Sequence, residues 1–110
     1  MKPAQTFLVL AVVTAACSSG FTPAPTPAIV AAMPDSIPCD KAVKVDAWGD
    51  RQGIRAEQRW LDAFYPRHGP YLQSVGGAGG KKYDVLYFAR ANGHRAWVCF
   101  DITSSFGHYP

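Results

Sequence analysis

Two strand-forming runs, Tyr83 to Arg90 and Arg95 to Ile102, are separated only by Ala91-Asn92-Gly93-His94. Asn-Gly between such runs is the strongest short-range sign of a β-hairpin, because both residues tolerate the positive φ that a tight turn demands. Side chains alternate across a strand, so the length of the turn decides which residues meet on which face. With Asn92 and Gly93 as a two-residue loop, Tyr83 pairs with Ile102, Val85 with Phe100, Tyr87 with Val98 and Ala89 with Ala96. That face is apolar throughout and suited to a core. The other face then pairs Asp84 with Asp101, Leu86 with Cys99, Phe88 with Trp97 and Arg90 with Arg95.

A helix is available to cover the apolar face. Ile54, Leu61 and Tyr65 recur at helical spacing with Trp60 and Phe64 beside them, while Arg55, Gln58, Arg59 and Asp62 point elsewhere. This predicts an amphipathic helix of about 12 residues. Asp50 or Gly53 can cap its start, and Pro66 ends it, because a residue before proline avoids helical dihedrals. Upstream, Ala42 to Trp48 alternates with period two and reads as a short strand. Tyr71 to Val75 reads as another, followed by Gly76 to Gly80 as a flexible loop. The fold class is therefore α+β, with one amphipathic helix packed on a small antiparallel sheet of three to four strands.

The N-terminus carries different information. Lys2, the uncharged run Phe7 to Ala16 and then Cys17 resemble the bacterial lipoprotein signal, in which small residues precede a cysteine that takes up lipid. Thr14 stands where Leu is preferred, and an ordinary signal peptide cleaved near Ala16 is the alternative. The run has ten residues, too few for the ~20 that span a bilayer. Cysteine parity favours lipid. The chain has three cysteines, so lipidation of Cys17 leaves Cys39 and Cys99 to pair in an oxidising compartment. Ser18 after the cysteine, where Asp marks inner-membrane retention, implies the outer membrane on its periplasmic side.

Three segments follow. Residues 1–16 are the signal peptide, and residues 17–38 are a lipidated N-terminus with a Pro- and Ala-rich tether. Residues 39–110 form a single small domain stapled by one disulfide. Within the tether, Ala28 to Met33 is an apolar patch that could dock on the domain or on the membrane. The whole chain has a net charge of +3, and losing Lys2 with the signal leaves +2, too mild and too scattered for nucleic acid. Three Trp, five Tyr and six Phe supply a small core with large buried area per residue.

No stretch states a chemistry. Gly76 to Gly80 with Lys81 and Lys82 lacks P-loop spacing and precedes a strand rather than a helix. Asp84 and Asp101 could oppose each other across the hairpin as a carboxylate pair. Ser104, His108 and Asp101 form a triad only on paper, without a nucleophile elbow. His68, His94 and His108 lack the spacing of a metal pair, so no metal, cofactor or catalytic residue is assigned. The strongest functional candidates are the aromatic pair Phe88 and Trp97 with Arg90 and Arg95 beside them, as contacts for a protein partner.

Gly80-Lys81-Lys82-Tyr83-Asp84-Val85, Gly93 and Phe100-Asp101 carry a resemblance in layout. A helix followed by a hairpin, with Gly-x-x-Tyr-x-Val opening it and Asp closing the second strand, is similar to PepSY-type modules of secreted bacterial proteins. It covers residues 53–102. The spacing from Asp101 to Gly107 departs from that pattern, and a Cys39–Cys99 bridge is not part of it. The chain as a whole resembles small lipoproteins of Gram-negative bacteria. The resemblance implies an α+β fold and a non-enzymatic, inhibitory role, with no catalytic residue carried over. The function that follows is a lipid-anchored periplasmic binding module of the cell envelope, of an inhibitor or immunity type. The alternatives are a structural accessory lipoprotein of an envelope complex and a small hydrolase.

Overall fold

The computed structural model describes residues 24–108, so Cys17 and the signal assigned to residues 1–16 lie outside the described residues. The fold is α+β. In chain order it contains α1 (Pro27–Ala31), β1 (Ser36–Ile37), a 3-10 turn (Cys39–Lys41), β2 (Val43–Lys44), α2 (Asp50–Phe64), β3 (Leu72–Ala78), β4 (Lys81–Ala89) and β5 (Arg95–Asp101). The sheet has five strands in the order β1-β5-β4-β3, with β2 also paired to β5. It is mixed rather than purely antiparallel. The β3–β4–β5 meander is antiparallel, whereas β1 and β2 run parallel to β5. Each of these two steps involves two residues, too few for a period-two pattern to announce. Among the described residues no helix is long and apolar enough to cross a membrane.

Helix α2 crosses one face of the sheet and buries Gly53, Glu57 and Leu61, a stripe spaced by four. Ile54, expected on that stripe, is 45% exposed. Gly53 has a steric reason: a Cβ there would lie 2.7 Å from Ser105 Oγ and 3.2 Å from Ser105 Cβ, so only glycine lets the C-terminal segment lie this close. The N-cap residue Gly49 offers no side chain, and the first turn is closed from elsewhere. Trp48 N–H donates to Gln52 Oε1 (3.3 Å), Asp50 N–H donates to the His108 carbonyl (2.8 Å), and Gly107 N–H donates to Asp50 Oδ1 (2.8 Å). The segment after β5 is thus docked on the helix start, with His108 stacked on Trp48 at 4.8 Å.

The core lies between α2 and the sheet. Leu61, Leu86, Val98 and Phe100 are fully enclosed at its centre. Trp60 meets Phe100 edge-on at 5.4 Å, and Tyr65 meets Phe88 edge-on at 5.1 Å. Such aromatic contacts add about 0.5–1.5 kcal/mol each beyond the area they bury.

Both hairpins differ from the sequence expectation. Gly76 and Gly77 belong to β3, and the β3–β4 turn is only Gly79-Gly80, both at positive φ (59° and 80°). The β4–β5 register is shifted by one from the expected pairing. Tyr83 pairs with Asp101, Asp84 with Phe100, Leu86 with Val98, Tyr87 with Trp97, and Phe88 with Ala96. The loop has three residues, Ala91 to Gly93, because Arg90 N–H donates to the His94 carbonyl (2.8 Å) and Gly93 N–H to the Arg90 carbonyl (2.8 Å). Gly93 alone takes positive φ (87°), while Asn92 Oδ1 accepts from His94 N–H (2.9 Å). Asn92 spends its polarity on this local bond rather than on a left-handed backbone. One added loop residue turns β4 over, so Asp84, Leu86 and Phe88 face the helix and Tyr83, Val85 and Tyr87 face away.

The folded unit begins before Cys39. Tyr65 Oη donates to the Pro34 carbonyl (2.6 Å), Trp97 N–H to the Asp35 carbonyl (2.9 Å), and Met33 and Ile37 pack against the core. The second half of the expected tether is therefore part of the domain. Between β1 and β2, the 3-10 turn sets Cys39 beside the fully buried Cys99, and the two form the disulfide.

Candidate functional site

On the face of the sheet away from α2, the register aligns Leu72 of β3, Tyr87 of β4 and Trp97 of β5 in one row. Leu72 is 76% exposed and Tyr87 45% exposed, and Trp97 is half-buried. Arg95 and Pro70 border the row, which lines a shallow hollow of about 380 Å³. Two of the four predicted contacts, Trp97 and Arg95, are thus on the open face.

The other two are not available there. Phe88 sits on the helix side opposite Ala96, buried against Tyr65 and His68, so the expected Phe88–Trp97 cross-strand pair does not form. Tyr87 takes that place opposite Trp97. Arg90 is used inside the fold: its Nη1 donates to the Met33 carbonyl (2.7 Å) and to Asp35 Oδ1 (2.8 Å), and its guanidinium lies 4.9 Å from the centre of the Tyr65 ring. The Arg90 hydrogen bond lowers the Asp35 carboxyl below its ordinary value, with His94 assisting.

On the helix side, a cleft of about 190 Å³ opens between the start of α2, β3, β4 and the segment after β5. Two carboxyls meet there, Glu57 from α2 (4% exposed) and Asp84 from β4 (1% exposed). Asp84 Oδ2 accepts from Gln73 Nε2 at 3.0 Å. Asp84 Oδ1 receives no bond from any N–H or hydroxyl of the described residues, and the Asp84 side chain is hydrogen-bonded to the Glu57 carboxyl. Burial pushes Glu57 up to about 9, and its hydrogen bond and charge interaction with Asp84 act in the same direction. At neutral pH Glu57 therefore keeps its proton, since a second negative charge this close to Asp84 is costly in a water-poor site.

Glu57 was not legible as a site residue from the helix pattern, although it is the chain's only Glu and stands four residues from both Gly53 and Leu61. Asp84 was assigned to the wrong face by the register. Asp84 and Asp101 do not oppose each other; they lie on opposite faces of the sheet. Asp101 is held low first by Thr103, whose hydroxyl and N–H both bond to it, and then by Lys81 at 3.4 Å. The paper triad is also dispersed: Ser104 Oγ donates to the Val45 carbonyl (2.9 Å) while His108 stacks on Trp48. His68 lies between Asp62 (2.8 Å) and the Gly69 carbonyl (2.7 Å). Among the described residues no group of His, Cys, Asp and Glu is arranged to hold a metal. Comparison with family models, with curated proteins and with solved structures finds no match.

Proposed function

We propose that this protein is a binding module of the bacterial cell envelope, held by lipid on Cys17 and facing the periplasm, and that it grips a partner protein with the open face of its sheet. The observation that carries the reading is the row Leu72, Tyr87 and Trp97 with Arg95 at its border. An exposed aliphatic and an exposed aromatic side chain, with a half-buried Trp beside them and an arginine at the border, are the composition of an interface anchor. A small domain gains nothing in solubility from leaving such a row uncovered. The placement also suits an anchored protein. The N-terminal segment joins the domain at the β1 edge, and the row runs away from it toward β3.

Support for the anchor comes from the cysteines. Cys39 and Cys99 are joined, which leaves Cys17 as the remaining cysteine of three. The reading covers an inhibitor or immunity protein that blocks an envelope hydrolase, and equally an accessory subunit of an envelope complex. Both need the same surface. Tagged full-length chain, solubilised from membranes in mild detergent, should retain one stoichiometric envelope protein, and a Tyr87→Ser/Trp97→Ser double variant should lose it. A Cys17→Ser chain should leave the membrane fraction. Equal retention by the double variant removes the surface from the account, and membrane retention of Cys17→Ser removes the anchor.

A further inference from the structure

The second feature lies on the opposite face and is independent of the open row. Three carboxyls line the cleft, Asp50, Glu57 and Asp84, and among the described residues no Lys or Arg does. The remaining walls that matter are apolar: Ile54 and Val75 on one side, Phe106 on the other, with Ile54, Val75 and Phe106 each substantially exposed. Lys82 is not among the lining residues, and its Nζ lies 5.4 Å from the centre of the Phe106 ring. Asp84 Oδ1 is buried without any N–H or hydroxyl donor. A buried carboxylate oxygen in that state costs free energy unless a donor reaches it, and among the described residues the neighbouring Glu57 carboxyl is the group placed to supply one.

We propose that this cleft is a binding site for a primary ammonium group carried on an apolar stem, a lysine side chain or a free alkylamine. The ammonium has three N–H donors and no acceptor. It can take over the donor role toward Asp84 Oδ1 from the Glu57 O–H, and Glu57, once ionised, becomes a second acceptor. Binding is therefore an exchange: the ammonium enters, the proton leaves the Glu57 carboxyl for bulk water, and the two carboxylates face one cation. The methylene stem lies along Ile54, Val75 and Phe106, where aliphatic carbons replace water on apolar wall. Asp50, fixed at the mouth by Gly107 N–H, adds attraction at entry. A cleft of about 190 Å³ has room for a butyl-sized stem.

The test is calorimetric titration of the full-length protein near pH 8 with n-butylammonium chloride, with n-butanol as the neutral probe and a blocked Gly-Lys-Gly peptide as the side-chain probe. The ammonium should saturate one site and the alcohol should not. Repeating the titration in buffers of different ionisation enthalpy should report release of about one proton per ammonium bound. Glu57→Gln separates binding from structure, because its amide donates to Asp84 as the protonated carboxyl does but cannot ionise. This variant should fold as well as wild type and bind at least about tenfold more weakly, the scale of one lost hydrogen bond to a charged group. Peptide binding as tight as the amine assigns the group to a lysine side chain, and binding of the amine alone assigns it to a free amine. Absence of saturation by both cations overturns the proposal, as does a Glu57→Gln protein that binds like wild type.

Discussion

Glu57 is enclosed where α2 meets β4, with its carboxyl against that of Asp84. An ionised pair at this depth is too costly to keep, so the folded protein retains a proton there. A glutamate free in an unfolded chain titrates near 4.3, whereas in the fold Glu57 is pushed up to about 9. Between those limits the folded state binds more protons than the unfolded one. The stabilisation is complete below the unfolded value and is lost as pH rises toward the folded one, by at most about 1.4 kcal/mol per pH unit. Urea midpoints should accordingly fall between about pH 5 and pH 8 for wild type and run flatter for Glu57→Gln. At the alkaline end the variant should be the more stable of the two. A wild-type midpoint that rises across this window would contradict the retained proton. The helix pattern hid this residue because apolar spacing reads Ile54, Leu61 and Tyr65 as the stripe, while the packed stripe starts at Gly53 and admits Glu57. Leu61 and Tyr65 belong to both, and the Gly53 start is set where Ser105 leaves no room for a side chain, a tertiary fact with no local signature.

At the scale of elements, the hairpin, the main helix and its proline stop were all legible, because each rests on local chemistry. The register was not. A two-residue and a three-residue loop carry the same Asn-Gly, and the choice turned on the Asn92 side chain bonding His94 N–H. That one residue exchanged Tyr87 for Phe88 on the open face and carried Asp84 into the core. The N-terminal edge was equally hidden, since β1 and β2 are two residues each and are held by contacts from afar. Arg90, directly after β4, makes two of these, to the Met33 carbonyl and to Asp35 across more than fifty residues. Arg90→Ala should therefore cost about 2 kcal/mol, the scale of charge-assisted hydrogen bonds plus a guanidinium on a tyrosine ring. It should also open residues 24–37 to limited proteolysis while leaving the hairpin protected. An unchanged urea midpoint with an unchanged digestion pattern would mean that β1 is held by other contacts alone.

At the scale of the molecule, two unlike faces share one small sheet. The helix side encloses the core and the carboxyl cleft, and the Cys39–Cys99 bridge ties the β1 edge to β5 over a loop of 60 residues. In the chain-entropy model such a closure contributes about 4 kcal/mol, a large share of what a domain this size can hold. With the N-terminal edge closed in this way, the other face can leave Leu72 and Tyr87 exposed and Trp97 half-buried without endangering the fold. The parity of the cysteines made the bridge readable in advance, and the aromatic content made a compact core readable. The identity of the exposed row depended on the register and was not. A photo-reactive phenylalanine analogue placed at Tyr87 in the full-length chain, and irradiated in intact cells, tests the central claim directly. The account predicts one dominant covalent adduct with an envelope protein from position 87, and none from the same analogue at Gln58 on the exposed side of α2. Equal adducts from both positions, or none from position 87, would contradict it.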